Sequence, residues 1–224
     1  MVQGWGVADR KVVTCPLFVA CHSYLRRSLT TLSLKLKMTD SPNTTDIVHP
    51  LVSSLELEPG LLYAVLTYRG DLASWNWSFF VPNPSVFPIG ADGTVFHVVS
   101  DSDTPGEWKF EMENKDVVGS PLVVVIVRLG DVACLGDYED VVGGDGLLPM
   151  FKTLAIPASG SGHRTEFSSR TWFLDAICVL HDCGVINCDD VWLLEREIRR
   201  CAFTAMDKYL QNKGWTVYEA ERCS

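Results

Sequence analysis

The feature that most constrains this chain is the segregation of its hydrophobic periodicities: strand-like segments occupy residues 61–127, and strong helical spacing begins only after residue 166. Segments 61–68 (LLYAVLTY), 76–81 (NWSFFV), 94–100 (TVFHVVS), 107–113 (EWKFEME) and 122–127 (LVVVIV) are short, β-branched or aromatic, and separated by Gly, Pro, Asn and Asp. They read as five strands. The connection 82–93 holds three prolines and Asp92-Gly93, and 101–106 holds Pro105-Gly106, so successive strands should join as antiparallel hairpins. In 107–113 Trp108, Phe110 and Met112 alternate with charged residues, the pattern of a strand with one buried and one solvated face, whereas 122–127 is apolar throughout, as a central strand is. Runs of strands followed by runs of helices define an α+β domain: an antiparallel sheet of about five or six strands packed against C-terminal helices.

Two helices should supply that cover. In the first, Trp172, Phe173, Ala176, Ile177 and Leu180 recur at helical spacing, and Gly184 can end the helix. In the second, Val191, Leu194, Ile198, Cys201, Ala205 and Tyr209 form the apolar stripe. Asp189 or Asp190 can cap it, and Glu195, Glu197, Arg199 and Arg200 are assigned to the solvated face. A smaller helical or irregular segment is expected around 137–152, and the tail at 213–219 can add a last short strand.

At 224 residues the chain accommodates one substantial core, assigned to residues 51–224, with residues 1–50 as an extension. The first 37 residues hold six Lys/Arg and one acidic residue, which leaves 13 basic against 27 acidic groups in the remainder, or −14. A body of that charge repels nucleic acid and anionic membranes. The apolar runs 61–66 and 122–127 fall far short of the roughly 20 residues that span a bilayer. Met38 opens an ordinary polar start, so translation beginning there, or a disordered arm preceding it, is the favoured reading, with the protein cytoplasmic; the alternative is a mitochondrial transit peptide, which the basic, Ser/Thr/Leu-rich residues 1–37 resemble. The eight cysteines are scattered, and several fall at apolar helix positions, which favours reduced thiols packed as small hydrophobes. Cys178, His181, Cys183 and Cys188 cluster in sequence, but their spacing is that of no common zinc finger or ribbon, so no metal or cofactor is expected. The glycines of 142–146 (VGGDG) lack the lysine and strand-to-helix setting of a phosphate loop.

The stretch 166–180, EFSSRTWFLDAICVL, places Ser168, Ser169 and Arg170 where an apolar helix begins, the position a helix-borne nucleophile takes. Two strands upstream carry polar groups that can accompany it: Asn76 in NWSFF and His97 in GTVFHVV. His163, in the 158–162 loop neighbourhood (ASGSG), is close in sequence, although loop histidines are most often surface residues. Trp75, Trp77, Trp108 and Trp172 either line a pocket for an apolar ligand or fill the core.

These residues carry a resemblance. Over residues 61–209 the strand order and the helix start SSRTWFLDAI resemble an uncharacterised fungal protein family whose members carry a His-Trp-Ala-like strand, a Gly-x-x-(aromatic)-His strand and an Asn-Cys-Arg-x-Trp helix start. That motif order is in turn similar to permuted papain-like cysteine hydrolases of the lecithin:retinol acyltransferase-like and NlpC-type groups. Carried over residue by residue, Asn76 stands at the first histidine, His97 at the second, Ser168 at the asparagine, Ser169 at the cysteine, Arg170 at the arginine and Trp172 at the tryptophan. Trp77, Ser168, Arg170 and Trp172 would then surround the degenerate positions Ser169, His97 and Asn76. A helix terminus stabilises a thiolate, but a serine stays protonated near neutrality and needs a positioned base, which Asn76 cannot be. The resemblance therefore implies a catalytically degenerate binding or interaction module for a protein or small-molecule partner. The alternatives are a hydrolase or acyltransferase using Ser169 with His97, and a structural protein in which the serines are only helix caps.

Overall fold

A computed structural model describes residues 57–71, 73–88, 90–100, 107–157 and 167–224. The readings made for residues 1–50, the transit-peptide resemblance and His163 all lie outside the described residues. The strands are β1 (Leu61–Tyr68), β2 (Trp75–Pro82), β3 (Asp92–Ser100), β4 (Trp108–Asp116), β5 (Val123–Asp131) and β6 (Thr216–Glu219). The helices are α1 (Tyr138–Val142), α2 (Leu147–Lys152), α3 (Ser169–Asp182) and α4 (Val191–Leu210). The architecture is α+β, as the ordering of periodicities requires.

The strands form one six-stranded sheet in the order β4-β3-β2-β1-β5-β6. The first four make an antiparallel meander, but β5 returns to the far side of β1, and β6 adds parallel to β5. The sheet is thus mixed, not wholly antiparallel. The cause is topological: α4 lies between β5 and β6 in the chain, and a helical crossover brings the next strand back in the same direction. With β1 and β6 on its flanks, β5 is buried from Val123 to Val127, as its unbroken apolar run requires.

Side-chain alternation sends Trp77 and Phe79 of β2 toward the helices. Phe79 stacks on Phe173 at 4.3 Å and on Phe151 at 4.9 Å, and Trp172 meets its edge at 5.8 Å. These contacts fasten α2 and α3 to the sheet. Burial of each phenylalanine contributes roughly 1.5–3 kcal/mol. Trp108 and Phe110 of β4 share this face, against Phe167 and Trp172. The face away from the helices has its own cluster, including Leu57, Leu61, Val65, Phe80, Val95 and Ile126, with partly buried Trp215 packed against it.

Helix α3 begins in a capping box. The Ser168 hydroxyl accepts from Thr171 N–H at 3.2 Å, and Thr171 Oγ1 accepts from Ser168 N–H at 2.8 Å. Its end is a Schellman turn: Val185 N–H donates to Leu180 O, Gly184 N–H donates to His181 O, and Gly184 takes φ +71°. Asp190, rather than Asp189, caps α4 by accepting from Trp192 and Leu193 N–H. Glu195 departs from the solvated face assigned to it. It is 4% exposed and holds Arg170 Nε at 2.8 Å and Arg199 Nη1 at 3.5 Å, an arrangement that needs α3 docked beside α4.

Candidate functional site

Directly paired residues of neighbouring strands project from the same face of a sheet. His97 pairs with Ser78, so it projects with Ser78 and with Asn76, two residues away, onto the face that the helices leave open. By the same rule Glu111 and Glu113, opposite His97 and Val95, stand on that face. Together with β1, β5 and the 115–123 segment these strands enclose a groove of 420 Å³, whose lining includes Val65, Asn76, Ser78, His97, Val99 and Lys115.

His97 dominates the electrostatics of the groove. Its Nε2 lies 3.4 Å from Glu113 Oε1 and 4.0 Å from Glu111 Oε2, yet makes no hydrogen bond. Burial pushes its pKa below the ordinary histidine value; Glu113 and Glu111 pull upward, Lys115 adds to the depression, and burial prevails. The imidazole is therefore neutral at pH 7, able to give or take one hydrogen bond but not to serve as a fixed cation. Lys115 is engaged by Glu113 at 3.0 Å, and Lys109 by Glu111.

Ser169 is placed differently. It is the first residue of α3 and 1% exposed, and its Oγ accepts from the backbone N–H of Trp77 at 3.2 Å. The β2–β3 ladder ends at the Ser78–His97 pair, so this hydroxyl accepts the next N–H along β2 after β3 has ceased to pair. Ser168 and Ser169 border a second cavity of 220 Å³, with Trp77, Arg170, Arg199 and Trp75 also in its wall. Asn76 and His97 belong to the first cavity, and Ser168, Ser169, Arg170 and Trp77 to the second; Arg69 borders both. Trp172 is in neither lining. It is buried in the aromatic cluster, and its Nε1 has no hydrogen-bond partner.

The sequence-derived set is thus divided. His97 and Ser169 do not hydrogen-bond to each other: the histidine lines the groove on the open face, and the serine lies against β2 in the wall of the other cavity. Sequence reasoning missed Glu111, Glu113 and Lys115 as neighbours of His97. Their alternation with Trp108, Phe110 and Met112 placed them on one face, but only the register shows that His97 stands opposite Glu111. Among the described residues no group of three or more His, Cys, Asp or Glu side chains is placed to hold a metal ion, and no helix is long and apolar enough to cross a membrane. The chain matches no protein family, no curated protein and no solved structure among those compared.

Proposed function

We propose that this chain is a binding module of degenerate papain-like type, working through the groove on the open face of its sheet and not through a serine nucleophile. The observation that carries the reading is the division of the candidate residues: Ser169 is buried as an acceptor for β2, while His97 stands in a separate cavity beside two carboxylates. A hydroxyl so placed has no base beside it to take its proton, and the histidine stands in the other cavity. The seat of the α3 N-terminus against β2 supports the papain-like resemblance, with the reacting pair absent from it.

The groove has the size range of small-molecule sites, and its chemistry selects the ligand class. Valines 65, 95, 99 and 123 give apolar walls, Asn76, Ser78 and neutral His97 give directional hydrogen bonds, and Arg69 adds positive charge at the margin, where Lys115 is already paired with Glu113. This set suits a small amphiphile with an apolar body and one anionic or polar end. The test is fluorescence titration with anilinonaphthalene sulfonate. Saturable binding by the native chain, weakened at least tenfold in Val99→Trp, where the indole fills the groove, is the expected result. Ester hydrolysis above background that is lost in Ser169→Ala would instead assign the chain to the enzymes.

A further inference from the structure

The segment after α3 and the last residues of the chain meet as a pair of antiparallel strands one link long. Asn187 N–H donates to Ser224 O at 2.6 Å, and Ser224 N–H donates to Asn187 O at 3.0 Å. Two residues that exchange both backbone bonds form a hydrogen-bonded pair, and the next pair along, Cys188 with Cys223, is then of the closer, non-hydrogen-bonded kind. Its Cα atoms in such ladders are about 4.5 Å apart, inside the span a disulfide bridges. Each thiol is a close enough side-chain neighbour to affect the titration of the other. Both cysteines are 6% exposed and both are free.

We infer that Cys188 and Cys223 are a disulfide site, a redox clasp that ties the turn after α3 to the segment following β6. The clasp encloses α4, which packs on β5, and β6, which pairs parallel to β5 at the edge of the sheet. With glutathione disulfide as the oxidant, the Cys188 thiolate attacks one sulfur and releases a glutathione thiolate. The Cys223 thiol, after losing its proton to that thiolate, attacks the Cys188 sulfur of the mixed disulfide and expels the second glutathione thiolate. The protein loses two electrons and two protons, and one glutathione disulfide becomes two glutathiones. Burial raises both thiol pKa values, that of Cys223 to about 12, so the reaction proceeds through local opening of the short ladder. This keeps the pair reduced through brief exposure to oxidant and closes it under sustained exposure.

The experiment equilibrates the full chain with glutathione redox buffers of increasing oxidising strength, quenches with iodoacetamide in denaturant, and maps the peptides by mass spectrometry. The expected product is a crosslink between the Cys188 and Cys223 peptides, with a rise in Tm of about 5–10 °C that thiol reductant reverses. Cys188→Ala and Cys223→Ala should each abolish both the crosslink and the rise, while Cys201→Ala, which removes a buried thiol outside the pair, should retain them. Preferential linkage of Cys178 or Cys183 to Cys188, or a pair that forms only after the chain has been unfolded, would overturn the assignment. Should an alanine variant not fold, the mapping on the native chain decides between these outcomes by itself.

Discussion

Ser168 and Ser169 are chemically identical neighbours with unrelated tasks, and the division follows from one step around a helix start. Ser168 has extended backbone at the N-cap and turns its hydroxyl onto the helix. Ser169, already helical, turns its hydroxyl onto β2. The same scale decides the charge of His97. Its folded pKa is depressed chiefly by burial, so the unfolded chain binds a proton that the folded chain resists. The neutral form's contribution is present above the unfolded pKa of about 6.5 and is lost as pH falls through the lower folded value. Native protein should accordingly lose stability between about pH 7 and pH 5 by more than His97→Gln does, as read by urea denaturation at both pH values. A smaller loss in the native chain would mean that Glu111 and Glu113 outweigh burial and hold the imidazole charged.

At the scale of elements, α3 is fixed at both ends by local signals and along its length by aromatic packing. Ser168→Ala removes the capping oxygen and should cost about 1 kcal/mol in chemical denaturation, with the denaturant dependence unchanged. An effect indistinguishable from zero would show that the Thr171 half of the box holds the terminus alone. Local signals of this kind were legible in the sequence: the Gly184 stop, the aspartate before α4 and the apolar run of β5 each follow from short-range rules. The alternation of β4 was not so reliable: at the sheet edge none of its residues is buried, and Met112, assigned to the buried face, is exposed. What short-range rules do not carry is the pairing of distant segments. The return of β5 to the far side of β1 and the parallel entry of β6 depend on which sheet edge remains free after the meander forms. Glu195 belongs with these. Its neighbours in sequence place it on a solvated face, and only the approach of Arg170 from α3 makes its burial tolerable, because a buried carboxylate needs a cation within reach.

At the scale of the whole molecule, the sheet and the point where β2–β3 pairing stops determine which side chains can meet. Motif order along the chain placed Asn76, His97 and Ser169 in one site. Strand alternation separates them, since Asn76 and His97 stand on the open face while Trp77, between Asn76 and Ser78, faces the helices and gives its N–H to Ser169. A periodicity of two was enough to divide the β2 residues, but the face on which α3 docks was not encoded in motif order.

The consequence can be tested by putting back the residues that the resemblance calls for. In the double variant Asn76→His and Ser169→Cys, the new imidazole should enter the open groove and the new thiol should remain buried against β2. The helix terminus lowers the thiol pKa and burial raises it, and no imidazole is placed to take the proton. Iodoacetamide should therefore label the introduced cysteine at a rate set by local opening, at least tenfold below its rate in denaturant. Neither the presence of Asn76→His nor the further change His97→Ala should alter that rate by more than about twofold, with circular dichroism confirming that each variant is folded. Fast labelling that requires both imidazoles would return the three residues to a single catalytic site, and would mean that the α3 N-terminus moves within the groove's reach in solution.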